Sequence, residues 1–172
     1  MRIKILSAIL LLSTLVTPVA ARTQLGDADL GDRVVDAIQR YPRFDIFDDV
    51  NISVDNRNVR LTGRVTTPIK RDEIGKRVAK IDGIRSLVND IQVLPLSRFD
   101  DDLRLRVARA IYNHPAFWQY AMMAQPPIHI IVENGHITLT GRVGSQVEKA
   151  LAFAVANVPG AFDVRNDLKV DR

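Results

Sequence analysis

The chain of 172 residues contains no cysteine, and this absence limits what the protein can be. It can form no disulfide and has no thiol nucleophile. We also expect no lipid anchor, because such an anchor is attached to a cysteine at the start of a mature chain. The fold must therefore be held together by burial of apolar side chains, which make up 47% of the sequence by type.

Long apolar runs are also scarce, and the only prominent one lies at the N-terminus, from residue 5 to residue 16. Arg2 and Lys4 precede this run, and small residues at 19–21 follow it, which is the pattern of a secretory signal. An uncleaved membrane anchor is the alternative, but the run is shorter than the roughly 20 residues that span a bilayer. We expect residues 1–21 to be removed on export.

A strong charge of one sign is absent too. The net charge is +4, and removal of residues 1–21, which hold two cations and no acid, leaves about +2. A nearly balanced surface offers no strong electrostatic attraction for nucleic acid. We therefore expect no nucleic-acid partner.

Signatures of catalysis are likewise missing. The three histidines, His114, His129 and His136, lack the close spacing of metal ligands, and there is no Gly-x-Ser-x-Gly or glycine-rich phosphate loop. Acid pairs such as Asp48-Asp49 and the run 100–102 lie before strands or helices, and we interpret them as solvated acids of connectors and helix starts. The sequence predicts no enzyme, metal or cofactor.

What the sequence does contain is a repeated stretch. Residues 59–65 read Val-Arg-Leu-Thr-Gly-Arg-Val, and residues 137–143 read Ile-Thr-Leu-Thr-Gly-Arg-Val. The alternation of apolar and polar residues predicts a strand with one buried face in each copy. Gly63 and Gly141 occupy inward positions, which predicts a bulge or the close approach of a helix backbone.

The stretches around each copy predict the same order of elements: helix, strand, strand, helix, strand. Pro42 and Pro115 end the first helix of each half, and Asn134-Gly135 predicts a type I′ hairpin in the second. We predict an α+β fold of two tandem αββαβ units, each a three-stranded sheet covered on one face by two helices. The predicted boundaries are 27–94 for the first unit, 95–100 for the linker and 101–172 for the second unit.

This tandem pattern resembles the BON domain, the bacterial osmotic-stress and nodulation domain. The resemblance rests on Leu-Thr-Gly-Arg-Val, on the turns at Gly83 and Gly160, and on the closing Asn89-Asp90-Ile91 and Asn166-Asp167-Leu168. It implies a non-catalytic periplasmic protein of the cell envelope, linked to osmotic stress, and some members of the family are implicated in phospholipid binding. One departure is Arg57, which stands where the second hairpin has Gly135.

The two predicted first helices differ on their outer faces. An offset of 73 residues aligns Pro42 with Pro115; with this offset Asp32 becomes Leu105 and Gln39 becomes Tyr112. The second helix therefore gains an outer apolar strip bordered by arginines, and an aromatic and methionine loop follows it. The candidate binding residues are Arg104, Leu105, Arg106, Arg109, Tyr112, Trp118, Tyr120, Met122 and Met123.

Three partners suit this surface. Aromatic rings and arginines suit the headgroup layer of an anionic phospholipid surface, with Trp118 and Tyr120 inserting and Phe117 packed inward. Methionines also suit an adaptable contact with an envelope protein, which would make the protein an interaction adaptor. The third possibility is that the surface docks the first unit. We expect envelope maintenance or osmotic-stress protection through weak phospholipid contact, with the adaptor as the alternative.

Overall fold

The computed structural model describes residues 26–171, so the predicted signal at 1–21 lies outside the described residues. The chain forms two αββαβ units in tandem, and the α+β fold class is confirmed. The elements of the first unit are α1 (Asp27–Gln39), β1 (Asp49–Asp55), β2 (Asn58–Val65), α2 (Pro68–Ala79) and β3 (Ser86–Val93).

The second unit repeats this order with two added elements and a divided closing strand. A 3-10 turn (Pro115–Phe117) and a short helix follow its first helix, in the stretch predicted as a loop, and its closing strand is divided into two pieces. Its elements are α3 (Arg98–Tyr112), α4 (Trp118–Ala121), β4 (Ile128–Glu133), β5 (His136–Val143), α5 (Gln146–Ala156), β6 (Asp163–Asn166) and β7 (Lys169–Val170).

Both sheets have the same topology. β1 pairs antiparallel with β2, which pairs in parallel with β3, and the second sheet matches this with β4, β5 and the divided closing strand. The register opposes Ile52 to Leu61 and Ile130 to Leu139. Each central strand thus has an antiparallel hairpin neighbour on one side, and the hairpin strand, β1 or β4, forms an edge of its sheet.

Alternation along the strands directs one face of each sheet onto its two helices. In the first unit Leu61 and Val65 of β2 are buried with Val34 of α1 and Ile74 of α2. The second core is built in the same way, from Leu103, Val107, Ile111, Ile130, Leu139 and Ala152, and it also contains Phe117. The prediction that Phe117 packs inward is confirmed.

The repeated glycine is required by the neighbouring strand rather than by a helix. Gly63 has φ +118°, and a Cβ there would lie 2.1 Å from the carbonyl oxygen of Asp49. Gly141 has φ +104°, and its Cβ would lie 1.9 Å from the carbonyl oxygen of Pro127. Of the two predicted alternatives, a bulge or the close approach of a helix backbone, the helix is wrong, because the close neighbour is strand and connector backbone. Both glycines allow the chain that enters the hairpin to cross close to the central strand.

Both hairpin turns have left-handed residues at their two central positions, as a type I′ turn requires. Asn56 and Arg57 have φ of 49° and 64°, and Asn134 and Gly135 have φ of 53° and 80°. A carboxylate from the first turn of the preceding helix accepts the two central N–H groups: Asp27 in the first unit, at 2.7 and 2.9 Å, and Asp100 in the second, at 3.0 and 2.8 Å. Arg57 thus adopts the conformation that suits glycine better.

Candidate binding surface

The contact between the units uses the connector between α1 and β1, not the outer face of α3. Ile46 and Phe47 of this connector pack against the core of the second unit. The carbonyl of Ile46 accepts a hydrogen bond from the N–H of Ile130 at 2.7 Å, and Nδ1 of His129 donates to the carbonyl of Asp48 at 2.6 Å. Of the three possible partners of the outer helix, the first unit is therefore not the one it contacts, and the interface between the units lies on β4.

Arg104 lies on the side of α3 that faces β4, and it is 5% exposed. Its Nη2 donates to the carbonyl of Val132 at 2.7 Å, and its Nη1 forms an ion pair with Asp101. The interpretation of Arg104 as an outward-facing phosphate ligand is wrong, because its guanidinium is held at the edge of the sheet.

Tyr112 follows two turns later on the same side of α3. Its hydroxyl donates to the carbonyl of Ile128, and its ring is half-buried against the second core. Burial raises the pKa of the Tyr112 hydroxyl well above its usual range. Tyr112 thus binds the edge strand rather than forming part of an outer strip.

Arg106 and Tyr120 are likewise engaged within the second unit. Arg106 is half-buried, and its guanidinium donates to the carbonyls of Pro159 and Asp102. The hydroxyl of Tyr120 donates to Glu148 at 2.7 Å and accepts from the N–H of Gly144 at 2.9 Å. Burial first, and then the bond to Glu148, raise the pKa of Tyr120. Tyr120 therefore fixes α4 to the start of α5 and does not extend into solvent.

The remaining five candidates are exposed. Trp118 and Met122 of the α4 region are 60% and 78% exposed, and Met123 is 48% exposed. We call these three side chains the α4 tip. Leu105, at 45%, and Arg109 are exposed on α3. The stretch from Pro115 to Val132 contains no Asp, Glu, Lys or Arg, so the tip emerges from an uncharged segment.

The histidines lie in three separate places. In the register of β4 and β5, His136 opposes Glu133 and His129 opposes Thr140. His136 contacts the carboxylate of Asp163, and His114 accepts from the N–H of Ala116 at 3.2 Å. Within residues 26–171 no group of three or more His, Cys, Asp or Glu side chains is placed to hold a metal ion.

Two acids read as solvated from the sequence are in fact fully buried, Asp48 and Asp100. Asp100 binds the hairpin turn described above. Asp48 accepts from Nζ of Lys70 at 2.7 Å and from the N–H of Thr66 at 3.0 Å, and Lys70 also contacts Asp45 at 2.8 Å. Burial nevertheless raises the pKa of Asp48 above its usual 3.8, with Lys70 opposing the shift.

The structure is a repeated α+β module, in which two helices cover one face of a small sheet. Each copy has its own carboxylate at the hairpin turn and its own glycine in the central strand. The sequence profile of the BON domain matches residues 26–95 and again residues 100–172. The chain therefore belongs to the BON domain family, a family of binding-type domains. No curated protein matches the chain.

Two solved structures match the chain at low identity. One is the C-terminal domain of CdsD, the structural protein of the type III secretion system of Chlamydia trachomatis; identity is 12%, the match covers 86% of this chain and 100% of that chain, and the TM-score is 0.31. A second structure of CdsD shows 14% identity over 84% of this chain and 94% of that chain, again with a TM-score of 0.31.

In the part of the chain that the structure describes, none of the helices has both the length and the apolar character needed to cross a membrane.

Proposed function

We propose that the protein is an exported, non-catalytic binding protein of the periplasm that maintains the cell envelope or protects it during osmotic stress. In this proposal the second unit makes a weak, reversible contact with anionic phospholipid through the α4 tip. Membership of the BON domain family supports the envelope role. The signal-like pattern at residues 1–21 supports export.

One observation carries the lipid proposal: three bulky apolar side chains, Trp118, Met122 and Met123, are exposed together on a short, uncharged segment. Burial of this apolar surface in the headgroup layer is favourable, and no Asp, Glu, Lys or Arg between Pro115 and Val132 would have to be desolvated. Tyr120 and the buried Phe117 hold the backbone of the tip against the second unit. The tip is therefore presented without a large ordering cost.

The electrostatic part of the contact is smaller than the sequence suggested. Arg104 and Arg106 are engaged within the protein, so Arg109 is the exposed cation of the predicted set. Asp101 and Asp102 lie on the same helix and reduce the local positive charge. We expect modest salt dependence and a preference for anionic over zwitterionic lipid that depends on Arg109.

The alternative is an adaptor that binds an envelope protein through the same tip. Met122 and Met123 favour this reading, because methionine side chains adapt to differently shaped apolar partners. An adaptor would require no anionic lipid, and its partner would still depend on Trp118.

Co-sedimentation with vesicles tests the proposal. We expect the protein to pellet with phosphatidylglycerol vesicles, to pellet less at high salt, and to remain in the supernatant with phosphatidylcholine vesicles. Trp118→Ala should reduce pelleting strongly and Arg109→Glu should reduce it moderately. Leu96→Ala is the matched control, because Leu96 is 98% exposed in the linker, and its loss should change nothing.

Equal retention of the protein in the supernatant with both kinds of vesicle would overturn the lipid proposal. Equal pelleting of wild type and Trp118→Ala with phosphatidylglycerol would overturn the assignment to the α4 tip. A protein partner bound in the absence of lipid, and lost on Trp118→Ala, would favour the adaptor.

A further inference from the structure

The outer edge of the second sheet is closed by three hydrogen bonds. Register directs the backbone groups of Ile128, Ile130 and Val132 away from β5, toward the open side of β4. Tyr112 donates to the carbonyl of Ile128, Arg104 donates to the carbonyl of Val132, and the N–H of Ile130 donates to Ile46. An edge strand closed in this way cannot pair with another chain.

The equivalent edge of the first sheet lacks these partners. Val50, Ile52 and Val54 of β1 occupy the same register positions, because Ile52 opposes Leu61 as Ile130 opposes Leu139. With the offset of 73 between the first helices, Gly31 stands in place of Arg104 and Gln39 in place of Tyr112. Within residues 26–171, no side chain or loop backbone donates to or accepts from the outward groups of these three residues.

A shallow groove lies between this open edge and α1. Its floor is formed by Ala28, Gly31, Val35, Ile52 and Val54. The groove has free space beside Gly31, where an added Cβ would only reach van der Waals contact with Val54, at 3.9 Å. At its far end, beside Val50, the groove meets the loop from Gln125 to Pro127 of the second unit. The part of the groove that the second unit leaves uncovered therefore lies beside Ile52 and Val54.

The charge around the groove selects the occupant. Asp32 lies exposed on the groove wall, and Asp49 and Asp55 lie at the two ends of β1. A second copy paired antiparallel about Ile52 would place Asp49 opposite Asp55 twice, and like charges directly opposite each other are destabilising. Arg142 of the second unit lines the far end of the groove beside Asp49. The three acids outnumber it, so a peptide with positive flanks is favoured.

We propose that the β1 edge of the first unit binds an extended peptide with alternating apolar residues and Lys or Arg at its ends, as an additional strand of the sheet. The backbone of Ile52 and Val54 supplies the hydrogen bonds, and the apolar side chains enter the groove beside Gly31 and Val35. This site is separate from the α4 tip, so it does not depend on lipid binding.

NMR titration of the 15N-labelled protein tests the site with a defined probe, the peptide Lys-Thr-Val-Thr-Val-Thr-Lys with blocked ends. At millimolar peptide we expect amide shifts centred on Ile52, Val54 and Gly31, and amide exchange of Ile52 slowed about tenfold or more. Before peptide is added, the amide of Ile52 should exchange faster than that of Ile130, because Ile130 already has a partner in Ile46.

Three comparisons make the test specific. The same peptide with Glu at both ends should bind about tenfold more weakly. Asp32→Lys should reduce or reverse this difference in affinity between the Lys-flanked and the Glu-flanked peptide. The double variant Gly31→Arg, Gln39→Tyr introduces the two side chains that close the second sheet, and it should abolish the shifts. Asp32 is exposed, so its substitution tests the site without risk to the fold.

The absence of shifts at millimolar peptide would overturn the proposal, as would shifts centred on the α4 tip. Protection of Ile52 that rises with protein concentration, without peptide, would assign the edge to a second copy and also overturn it. Equal binding by the double variant would place the peptide elsewhere on the protein.

Discussion

The turn after β2 and the turn after β5 each present a backbone N–H that needs an acceptor, and the two units supply it differently. In the first unit the N–H of Thr66 donates to Asp48, which comes from the connector before β1. In the second unit the N–H of Gly144 donates to Glu148 at 2.8 Å, which comes from the next turn of the chain. The same backbone requirement is thus met by a long-range acid in one unit and a local acid in the other.

This difference determines what each connector is free to do. Asp48 and its partner Lys70 fix the first connector inside the fold, where Ile46 and Phe47 reach the second core. In the second unit Tyr120 joins the local acid, and the rest of the segment exposes Trp118 and Met122. The first connector joins the units. The second also contacts the first unit, because Gln125 donates to the carbonyl of Gln39, but it leaves the α4 tip available to bind.

The largest expected effect is a loss of stability on substitution of the strand glycine that occurs in both units. Gly63→Ala should destabilise the protein by about 3 kcal/mol or more, because the new Cβ would overlap the carbonyl of Asp49 in a backbone conformation that L-residues avoid. Gly141→Ala should cost a similar amount, because its Cβ would meet Pro127. Urea unfolding followed by circular dichroism measures both.

Gly31→Ala is the control for the glycine variants, because Gly31 lies in α1 and its Cβ would meet nothing closer than 3.9 Å. It should leave the free energy of unfolding unchanged or raise it. If Gly63→Ala and Gly141→Ala were as stable as Gly31→Ala, the shared close crossing of the strands would not exist.

The next effect concerns the buried acid of the first unit alone. Lys70→Met removes the ammonium that faces Asp48, and it should destabilise the protein at neutral pH by about 3 kcal/mol. Burial already holds the pKa of Asp48 above 3.8, and loss of Lys70 should raise it further. The folded state of the variant then favours the protonated acid. The loss of unfolding free energy relative to wild type should therefore be small near pH 4 and should grow as the pH rises through the folded pKa of Asp48.

Thermal unfolding of wild type and Lys70→Met between pH 4 and pH 7 measures this dependence. Lys76→Met is the control, because Lys76 pairs with Glu73 on the exposed side of the same helix, and its loss should leave stability nearly unchanged. A deficit in Lys70→Met that stayed constant across this range would contradict a charged, buried Asp48.

The smallest expected effect is a gain. Arg57→Gly should stabilise the protein by roughly 1 kcal/mol, since Arg57 occupies a left-handed conformation that glycine adopts more readily. The reverse change in the second unit, Gly135→Arg, should destabilise, because its Cβ would lie 2.8 Å from the ring of Phe162. Chemical unfolding of the two variants compares the turns, and a loss of stability in Arg57→Gly would contradict the shared turn geometry.

The sequence predicted the repeated sheets and helices because their signals are local. Alternation in the strands, Pro42 and Pro115 after the first helices, and Asn134-Gly135 in the hairpin each act within a few residues. The short helix α4 was not predicted, since four residues carry little intrinsic helical preference and tertiary contacts such as that of Tyr120 stabilise it.

The candidate site was predicted less well, because a helix in this fold has a core face, a solvent-exposed face and a flank that lies beside the edge of the sheet. The sequence separates a core face from an outer face, but Arg104 and Tyr112 lie on a flank beside the edge of the sheet. Their contrast with Gly31 and Gln39 was a usable signal, since only the second unit has side chains long enough to reach an edge carbonyl. Asp48 was misread because its partner Lys70 lies 22 residues away.

The most direct test of the division between the two units uses the chain's single tryptophan, Trp118. Because it is 60% exposed in the α4 tip, its fluorescence should shift to shorter wavelength when phosphatidylglycerol vesicles are added, and lipids brominated near the headgroup should quench it. The same shift should persist in the Gly31→Arg, Gln39→Tyr variant, whose β1 edge is closed. Unchanged emission in the presence of vesicles would contradict the assignment of lipid contact to the second unit.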